Sequence, residues 1–221
     1  MKTNLLLILF LAIMISSCSQ KKTETENPFF SDFNTPFNVP PFDKIQNAHY
    51  IPAFEQGIKE HDAELEKIIN NSEEPSFSNT IEALEYSGRL LNKVSSVFFN
   101  LNESNTSDEM QEIARNIMPQ LSQHSDAILL NDKLFKRVKA VYDNKEQSGL
   151  NPEQMKLLTE TYKGFIRNGA NLNEEQKEEM KKINEQLSLL SLQFGENLLA
   201  ETNDFKLTID NKDDLAGLPE S

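Results

Sequence analysis

The sequence predicts an all-α fold, and three observations support this prediction. Only 7 of the 221 residues are glycine, and none is tryptophan. Glu, Lys, Leu, Gln and Asn are abundant, which favours helix over sheet. Apolar residues recur at intervals of three and four over most of the chain, which is the spacing of one helix face. Hydrophobic residues make up 38% of the sequence, enough for a core but not for a membrane-embedded body.

The charge balance of the chain argues against two classes of binding partner. The chain carries 22 basic and 35 acidic residues, a formal net charge of -13. Nucleic-acid binding needs clustered Lys and Arg against the phosphates, so this composition argues against a nucleic-acid partner. It also argues against adsorption to an anionic membrane surface. The simplest interpretation of the excess acidic charge is a well-solvated surface.

Residues 1–17 have the pattern of a signal peptide. Lys2 is followed by an apolar run of about 11 residues, which is too short to span a bilayer as a helix. The run ends at Ile15-Ser16-Ser17-Cys18, which resembles the lipobox of bacterial lipoproteins. This resemblance implies cleavage before Cys18 and lipidation there. We therefore expect an exported lipoprotein of the bacterial cell envelope, anchored in a membrane by its lipid alone, on either the periplasmic face or the surface.

Two segments precede the predicted helices. Cys18 is the only cysteine, so a disulfide within the chain is impossible. The alternative of a catalytic thiol is disfavoured, because a nucleophile needs a fixed base and a pocket. Residues 18–27 are interpreted as a flexible tether. Residues 28–43 contain five phenylalanines and several prolines that forbid a regular helix. We expect an extended arm against the folded body, with a peptide-like ligand motif as the alternative.

Residues 44–203 are predicted to form one helical domain with six helices. The first helix extends from about Pro52 to Asn70, and Pro75 ends that region. Apolar residues and one histidine follow each other at intervals of four and three, as expected for the buried stripe of an amphipathic helix. This stripe consists of Phe54, Ile58, His61, Leu65 and Ile68.

The second helix is predicted to start at Asn79, because Glu82 three residues later completes a capping pattern. We expect it to continue as one element until a polar break over residues 100–105. Gly88 and Ser95 fall on its stripe, where small residues let a neighbouring helix approach closely. The full stripe is Ile81, Leu84, Gly88, Leu91, Ser95 and Phe98.

Three further helices have recognisable ends. The third begins near Ser107 and contains Pro119, which is expected to kink or interrupt it. The fourth covers about residues 132–143, with apolar side chains on one face. The fifth has Asn151 as its cap, a proline in its first turn and Gly169 just past its end.

The sixth helix is predicted to be the longest. Asn173 caps it, and its pattern extends to about Thr202, a length of about 44 Å at 1.5 Å per residue. It carries an apolar seam that additional leucines widen, which predicts packing on two sides. The seam is Met180, Ile183, Leu187, Leu190, Phe194 and Leu198, and the additional leucines are Leu189, Leu192 and Leu199.

Residues 204–221 are interpreted as the start of a strand-containing segment. Apolar and polar residues alternate from Phe205 to Ile209 with the period of a strand. No second strand is predicted in residues 44–221, and a lone strand leaves its backbone groups unpaired. We therefore expect the missing strands, and the partners of the apolar surfaces formed here, to lie beyond Ser221.

The candidate chemistry of the chain is sparse. The three histidines are His49, His61 and His124, and none makes a His-x-x-x-His pair that one helix could present to a metal. His61 lies on an apolar stripe and is interpreted as structural. His49 precedes a helix and is expected to bond locally, whereas His124 lies in a polar stretch. Paired glutamates lie at turns or helix starts, where they suit the helix dipole. We therefore predict no catalytic residue and no metal ligand in this chain.

Eight short sequence blocks follow one another in a single register across residues 28–221. They are Pro40–Ile45, His49–Phe54, Pro75–Glu85, Ser87–Leu91, Val97–Leu101, Leu134–Lys139, Phe165–Leu172 and Leu215–Glu220. The first blocks resemble the opening of the thimet oligopeptidase family of zinc metallopeptidases. The later blocks are similar to the bacterial peptidyl-dipeptidase branch of that family.

The resemblance implies a mostly helical fold in two halves that enclose a deep channel. It also implies hydrolysis of short peptides, with release of C-terminal dipeptides, at a zinc ion held by a His-Glu-x-x-His helix and a downstream glutamate. None of those residues has a counterpart in this sequence. The expected role of this N-terminal part is therefore a channel wall that binds no zinc itself, with the catalytic half of its own chain as partner.

Two hypotheses about function follow. In the first, the chain is the inactive N-terminal part of a lipid-anchored zinc peptidyl-dipeptidase. In the second, it is a stand-alone helical lipoprotein that binds peptides or a protein partner without catalysis. The first hypothesis predicts that the chain produced alone is prone to aggregation, because its apolar surfaces lack partners. The second expects a cooperatively melting protein. Familiar members of the peptidyl-dipeptidase branch are soluble enzymes. The expected localisation at the cell envelope is therefore based on the leader in residues 1–17 and not on the resemblance.

Overall fold

The computed structural model describes residues 26–217, and the regular elements in this range are helices, which confirms the all-α prediction. The predicted signal peptide, Cys18, most of the predicted tether and residues 218–221 lie outside the described residues. The helices are α1 (Tyr50–Ile69), α2 (a π-helix over Phe77–Glu82 followed by an α-helix over Ala83–Glu85), α3 (Arg89–Ser104), α4 (Asp108–Leu129), α5 (Asp132–Asp143), α6 (Pro152–Arg167) and α7 (Glu174–Asp204).

Two hydrophobic cores share α1. The first half of α1 contributes Ala53 and Phe54 to core one, which also contains residues of α3 and α4. The second half contributes Leu65 and Ile68 to core two, which α2, α5 and α6 complete. Because each buried large apolar side chain contributes about 1.5–3 kcal/mol, both cores depend on the same helix for part of their stability. His61 lies on α1 between the two contributions.

The Pro- and Phe-rich arm packs on core one through its first residues. Phe29 is 1% exposed, and its ring centroid lies 5.6 Å from that of Tyr50. Lys93 on α3 donates hydrogen bonds to the carbonyls of Phe29 and Ser31, at 3.1 and 2.6 Å. The middle of the arm projects from the body, since Phe37 is fully exposed, whereas Pro41 near its end is buried.

The second predicted helix is wrong in its start and its continuity. Ser76, not Asn79, is the cap, because the Ser76 hydroxyl accepts from the Asn79 amide at 3.2 Å and the Asn79 side chain accepts from the Ser76 amide at 2.9 Å. Gly88 then adopts a left-handed backbone with φ of 68° and separates α2 from α3. A residue with a side chain pays a penalty in this conformation, so glycine is required at the break.

The end of α3 also differs from the prediction. The polar stretch over residues 100–105 does not break the helix, which continues to Ser104. The side chains of Asn100 and Ser104 donate to carbonyls one turn earlier, so their polar groups are satisfied inside the helix. The close approach between helices occurs at Gly57 of α1, where an added Cβ would lie 2.9 Å from the Cα of Leu91.

The third to fifth predicted helices correspond to α4, α5 and α6. The side chains of Ser107, Asn131 and Asn151 cap them by accepting from backbone amides. Of the two outcomes expected at Pro119, the interruption is wrong, because α4 is one element from Asp108 to Leu129, whereas the kink stays a prediction. The proline removes one backbone donor from the helix.

The sixth predicted helix is α7, capped by Asn173 and extending to Asp204. The strand expected from Phe205 to Ile209, with its partners beyond Ser221, stays a prediction, and no ladder forms there within residues 26–217. A strand needs backbone hydrogen bonds to a neighbour, and that part of the chain brings no extended segment beside this one. None of the helices described here combines the length and the apolar composition that crossing a membrane requires.

Candidate functional site

Within the described residues the long helix α7 packs on one side, and packing on its other side stays a prediction. Its partner is mainly α4, with a smaller contact to α3. The side chains that face these helices are polar as well as apolar, and Leu192 packs at the edge of core one. Three hydrogen-bonded pairs fix the register of α7: Lys177 with Asp132, Asn184 with Asp126, and Glu196 with Arg115.

The opposite face of α7 is an uncovered apolar surface, called the outer seam below. Its five large side chains are between 52% and 69% exposed, and they are Ile183, Leu187, Leu190, Phe194 and Leu198. Exposed apolar residues continue beyond the helix in Phe205 and Leu207. A contiguous exposed apolar face of this kind is a candidate contact surface, because such faces are typical of interaction sites and ligand-binding grooves.

A groove of about 500 Å³ lies beside the outer seam, between α7 and the ends of α3 and α4. Apolar side chains form most of its lining, including Phe99, Met118, Leu192 and Leu199. Asn102 and Gln111 add amide groups that can donate and accept hydrogen bonds. The groove therefore has the chemistry to hold an apolar side chain and to bond to the polypeptide that carries it.

The electrostatics beneath this face centre on Asp126. Its carboxylate is buried and accepts a hydrogen bond of 2.6 Å from the side chain of Asn184. Burial raises the pKa of Asp126, and the bond from Asn184 and the charge of Lys181 act in the opposite direction. The carboxylate serves to hold α7 on α4, since its bonded partner is a side chain of α7.

A second polar cluster joins α1, α4 and the break between α2 and α3. The Nδ1 of His61 lies 2.9 Å from the Nε2 of His124. The other nitrogen of His61 lies 3.0 Å from the Ser87 hydroxyl, which donates to the carbonyl of Leu84 at 2.7 Å. The other nitrogen of His124 lies 3.1 Å from a carboxylate oxygen of Asp62. Five groups from three parts of the chain thus form one continuous series.

The direction of these hydrogen bonds follows from the serine. Because the hydroxyl proton of Ser87 goes to Leu84, His61 Nε2 donates to Ser87 and His61 Nδ1 accepts from His124 Nε2. His124 can then also donate to the Asp62 carboxylate only as an imidazolium, with a hydrogen on each ring nitrogen. Burial lowers the pKa of His61, the neighbouring His124 lowers it further, and Glu64 and Asp62 oppose both effects. A histidine that already donates to the hydroxyl cannot activate it as a nucleophile, so the arrangement is not a serine-hydrolase triad.

The series was not predicted from the sequence, although a signal for part of it was present. His124 is buried and pairs with Asp62 on another helix, not with the nearby Asp126. The buried stripe of α4 has intervals of four and three that end on this histidine: Met110, Ala114, Ile117, Leu121 and His124. The local polarity around His124 concealed that spacing.

The remaining site predictions concern His49, metals and lipidation. His49 is buried, and its Nδ1 accepts from the backbone amide of Gln46 at 3.0 Å, so the expected local bond is present. No group of three or more His, Cys, Asp or Glu side chains within residues 26–217 is arranged to hold a metal ion. Cys18 lies outside that range, and its lipidation stays a prediction.

Comparison with known proteins gives a consistent set of relatives, although no family model matches the chain. Dipeptidyl carboxypeptidase of Salmonella typhimurium is 38% identical over 192 residues, which are 87% of this chain and 28% of the relative. Dipeptidyl carboxypeptidase of Escherichia coli is 38% identical over 196 residues, which are 89% of this chain and 29% of the relative. Oligopeptidase A of Escherichia coli is 27% identical over 187 residues, which are 85% of this chain and 28% of the relative. The chain thus spans less than a third of the length of the curated relatives it matches.

Proposed function

Since the chain belongs to the thimet oligopeptidase family of peptidases, we propose that it is the N-terminal part of a zinc-dependent peptidyl-dipeptidase. The complete protein then releases dipeptides from the C-terminus of short peptides. The observation that carries this proposal is the 38% identity to two dipeptidyl carboxypeptidases, against 27% to oligopeptidase A. The higher identity favours dipeptide release over cleavage inside the peptide.

Within this proposal, the chain is a non-catalytic wall of the substrate channel. A zinc ion would be held by the catalytic half, and it would supply there the activation of a water molecule for peptide hydrolysis. Two features of the described residues support the role of a wall. The outer seam is an apolar face that a further part of the protein would cover, and the groove beside it has room for a substrate side chain.

Peptide hydrolysis tests the activity and its division between the two parts. The full-length gene product and the 221-residue chain are compared on short peptides with free and with amidated C-termini. We expect the full-length protein to release dipeptides from the free C-terminus only, and to lose this activity to a chelator and regain it with zinc. We expect the shorter chain to be inactive and to hold no stoichiometric zinc. Turnover by the shorter chain that a chelator abolishes would contradict the proposal, and cleavage of the amidated peptides would favour an endo-oligopeptidase.

The outer seam can be tested in the full-length protein. Leu190→Glu and Phe194→Glu each place a charge on the seam, whereas Gln193→Glu places the same charge on an exposed neighbouring position of α7. If a catalytic half covers the seam, each of the two seam variants buries an unpaired charge. We then expect a lower yield of folded protein and lower activity for these two variants, and no such loss for Gln193→Glu. Equal activity of all three variants would show that the seam faces solvent in the complete protein.

The lipid anchor is a separate part of the proposal. The motif Ile15-Ser16-Ser17-Cys18 supports cleavage before Cys18 and attachment of lipid to that residue. We expect the wild-type protein to partition into detergent with bacterial membranes and to incorporate a labelled fatty acid, and Cys18→Ser to do neither. A wild-type protein that stays in the aqueous fraction would exclude the anchor.

The second candidate is a stand-alone helical lipoprotein that binds peptides without catalysis. The groove supports this second candidate, because residues of α3, α4 and α7 are sufficient to form it. This hypothesis expects the 221-residue chain to be monodisperse and to bind short peptides with saturation. The channel-wall hypothesis expects self-association through the outer seam instead.

A further inference from the structure

We propose that His61 and His124 form a proton-controlled contact, which holds α1 against α4 near neutral pH and opens when both rings carry a positive charge. The pair lies where α1 passes from core one to core two, between Phe54 and Leu65. A change in this contact therefore acts on the helix that both cores share. The inference is independent of the peptidase proposal, since it concerns only residues of this chain.

The geometry allows one proton between the two rings. The facing nitrogens are 2.9 Å apart, which is the length of a hydrogen bond with a single hydrogen on one of them. His61 already donates through its other nitrogen to Ser87. A second proton on His61 would therefore make both facing nitrogens donors, and the hydrogen bond would become a repulsive contact.

The surroundings prevent the His61 ring from turning away. Gly88 lies directly against the ring, since a Cβ added there would be 2.8 Å from Nδ1 and 2.9 Å from Cε1. The amide of Gly88 is itself held by the Glu64 carboxylate at 2.8 Å. Relief of the repulsion requires displacement of the break between α2 and α3, or of α4.

Three titratable groups around His61 affect the uptake of a second proton. α4 contributes His124, which disfavours that proton. α1 contributes Asp62 and Glu64, which favour it. Asp62 is more than half exposed, so water screens its charge, and Glu64 is engaged by a backbone amide. The break between α2 and α3 places Ser87 and Gly88 against the ring, and neither carries a charge.

The sign of the pH dependence follows from these contacts. Burial and His124 lower the pKa of His61 below that of an unfolded histidine, which is about 6.5. The closed contact is thus fully stabilising above about pH 6.5 and loses stability as the pH falls through that value toward the lower pKa of the folded state. Over the steep part of this transition, each pH unit raises the open population by up to about tenfold.

Amide hydrogen exchange on the full-length protein tests the inference region by region. Exchange is followed by mass spectrometry at about pH 7.5 and about pH 5, with correction for the intrinsic pH dependence of the amides. In the wild type we expect faster exchange at the lower pH in segments 84–90 and 118–126, which contain the residues that lie against His61 of α1. His61→Gln should remove this difference, because a glutamine amide can fill a similar position without gaining a charge.

His49→Gln is the matched control, since it replaces a buried histidine that is bonded within its own turn. It should retain the acid-induced exchange at segments 84–90 and 118–126. NMR titration of the imidazoles in the wild type gives a second measurement that needs no folded variant. Coupled titration of His61 and His124 supports the inference. Independent titration of both rings near the ordinary value, or unchanged acid-induced exchange in His61→Gln, would overturn it.

Discussion

Single residues fix the joins between the helices, and two of them are held by unusual contacts. Gly88 combines a left-handed backbone with direct packing on His61. Arg137 on α5 is buried and donates to the carbonyls of Asn71 and Glu73 and to the side chain of Asn79, at 2.8, 3.3 and 3.0 Å. Both residues therefore hold the segment between α1 and α3 in place, one by conformation and one by hydrogen bonding.

Replacement of Gly88 by alanine should destabilise the protein. The substitution costs about 1–2 kcal/mol for the left-handed backbone alone, and the added Cβ would also collide with the His61 ring. Gly164→Ala is the control, because Gly164 lies within α6 and an added Cβ meets nothing within 4 Å. That control should stabilise the protein by about 0.5–1 kcal/mol. Urea denaturation measures both changes, and equal effects would contradict the assignment.

Replacement of Arg137 by methionine should destabilise the protein by about 2–5 kcal/mol, because three acceptors lose a charged donor in a buried place. Arg115→Met removes an arginine that is half exposed and pairs with Glu196, and should change the free energy of unfolding by less than about 1 kcal/mol. The midpoints of chemical denaturation separate the two cases. A loss for Arg137→Met as small as for the control would show that the three bonds are not maintained in solution.

At the scale of elements, α7 has two faces with opposite surroundings. Polar pairs and Leu192 hold one face on α4 and α3, whereas the outer seam carries the larger apolar side chains and stays uncovered. The usual arrangement places the most apolar face of a helix against its own domain. The reversal on α7 supports the proposal that a further part of the protein covers the outer seam.

Serine substitutions on the two faces should have different effects on the chain produced alone. Leu192→Ser removes apolar contact with core one and should lower the free energy of unfolding by about 1–3 kcal/mol. Leu190→Ser is on the outer seam and should change it by less than about 0.5 kcal/mol, while reducing the binding of a hydrophobic dye. Chemical denaturation and dye fluorescence measure these effects. A larger destabilisation for Leu190→Ser would mean that the seam is covered by the chain itself.

At the scale of the molecule, α1 makes the two cores one cooperative unit. Core one and core two are built from different partner helices but from successive turns of the same α1. A loss of packing in one core therefore weakens the helix on which the other depends. The acidic excess, -13 for the whole chain, acts against this compaction through repulsion at the surface.

Leu134→Ala tests this cooperativity. Leu134 is completely buried in core two, so its truncation should cost about 2–5 kcal/mol. Because α1 is shared, amides of α3 in core one should lose protection from hydrogen exchange together with those of core two. Leu190→Ala is the same substitution at a largely exposed position and should leave both cores protected. Loss of protection confined to core two would show that the cores unfold separately.

The sequence by itself determined the helical class, most helix positions and the family. Periodicity placed α1, α4, α5, α6 and α7, and the caps at Ser107, Asn151 and Asn173 were visible because a cap is a local signal. Local signals also misled, as at Asn79, which satisfies a cap pattern but serves Ser76 as the reciprocal partner. Pro119 likewise predicted a kink or an interruption, and α4 continues through it without interruption.

Only the tertiary structure decided which side chains meet across helices. The pairing of His61 with His124, and the three bonds of Arg137, join residues more than fifty positions apart, and no local pattern carries that information. The sequence predicted the apolar seam of α7, but burial of that seam depends on what packs against it. The physical reason is that hydrophobic periodicity shows which face of a helix is apolar, whereas the tertiary fold determines whether another element packs on that face.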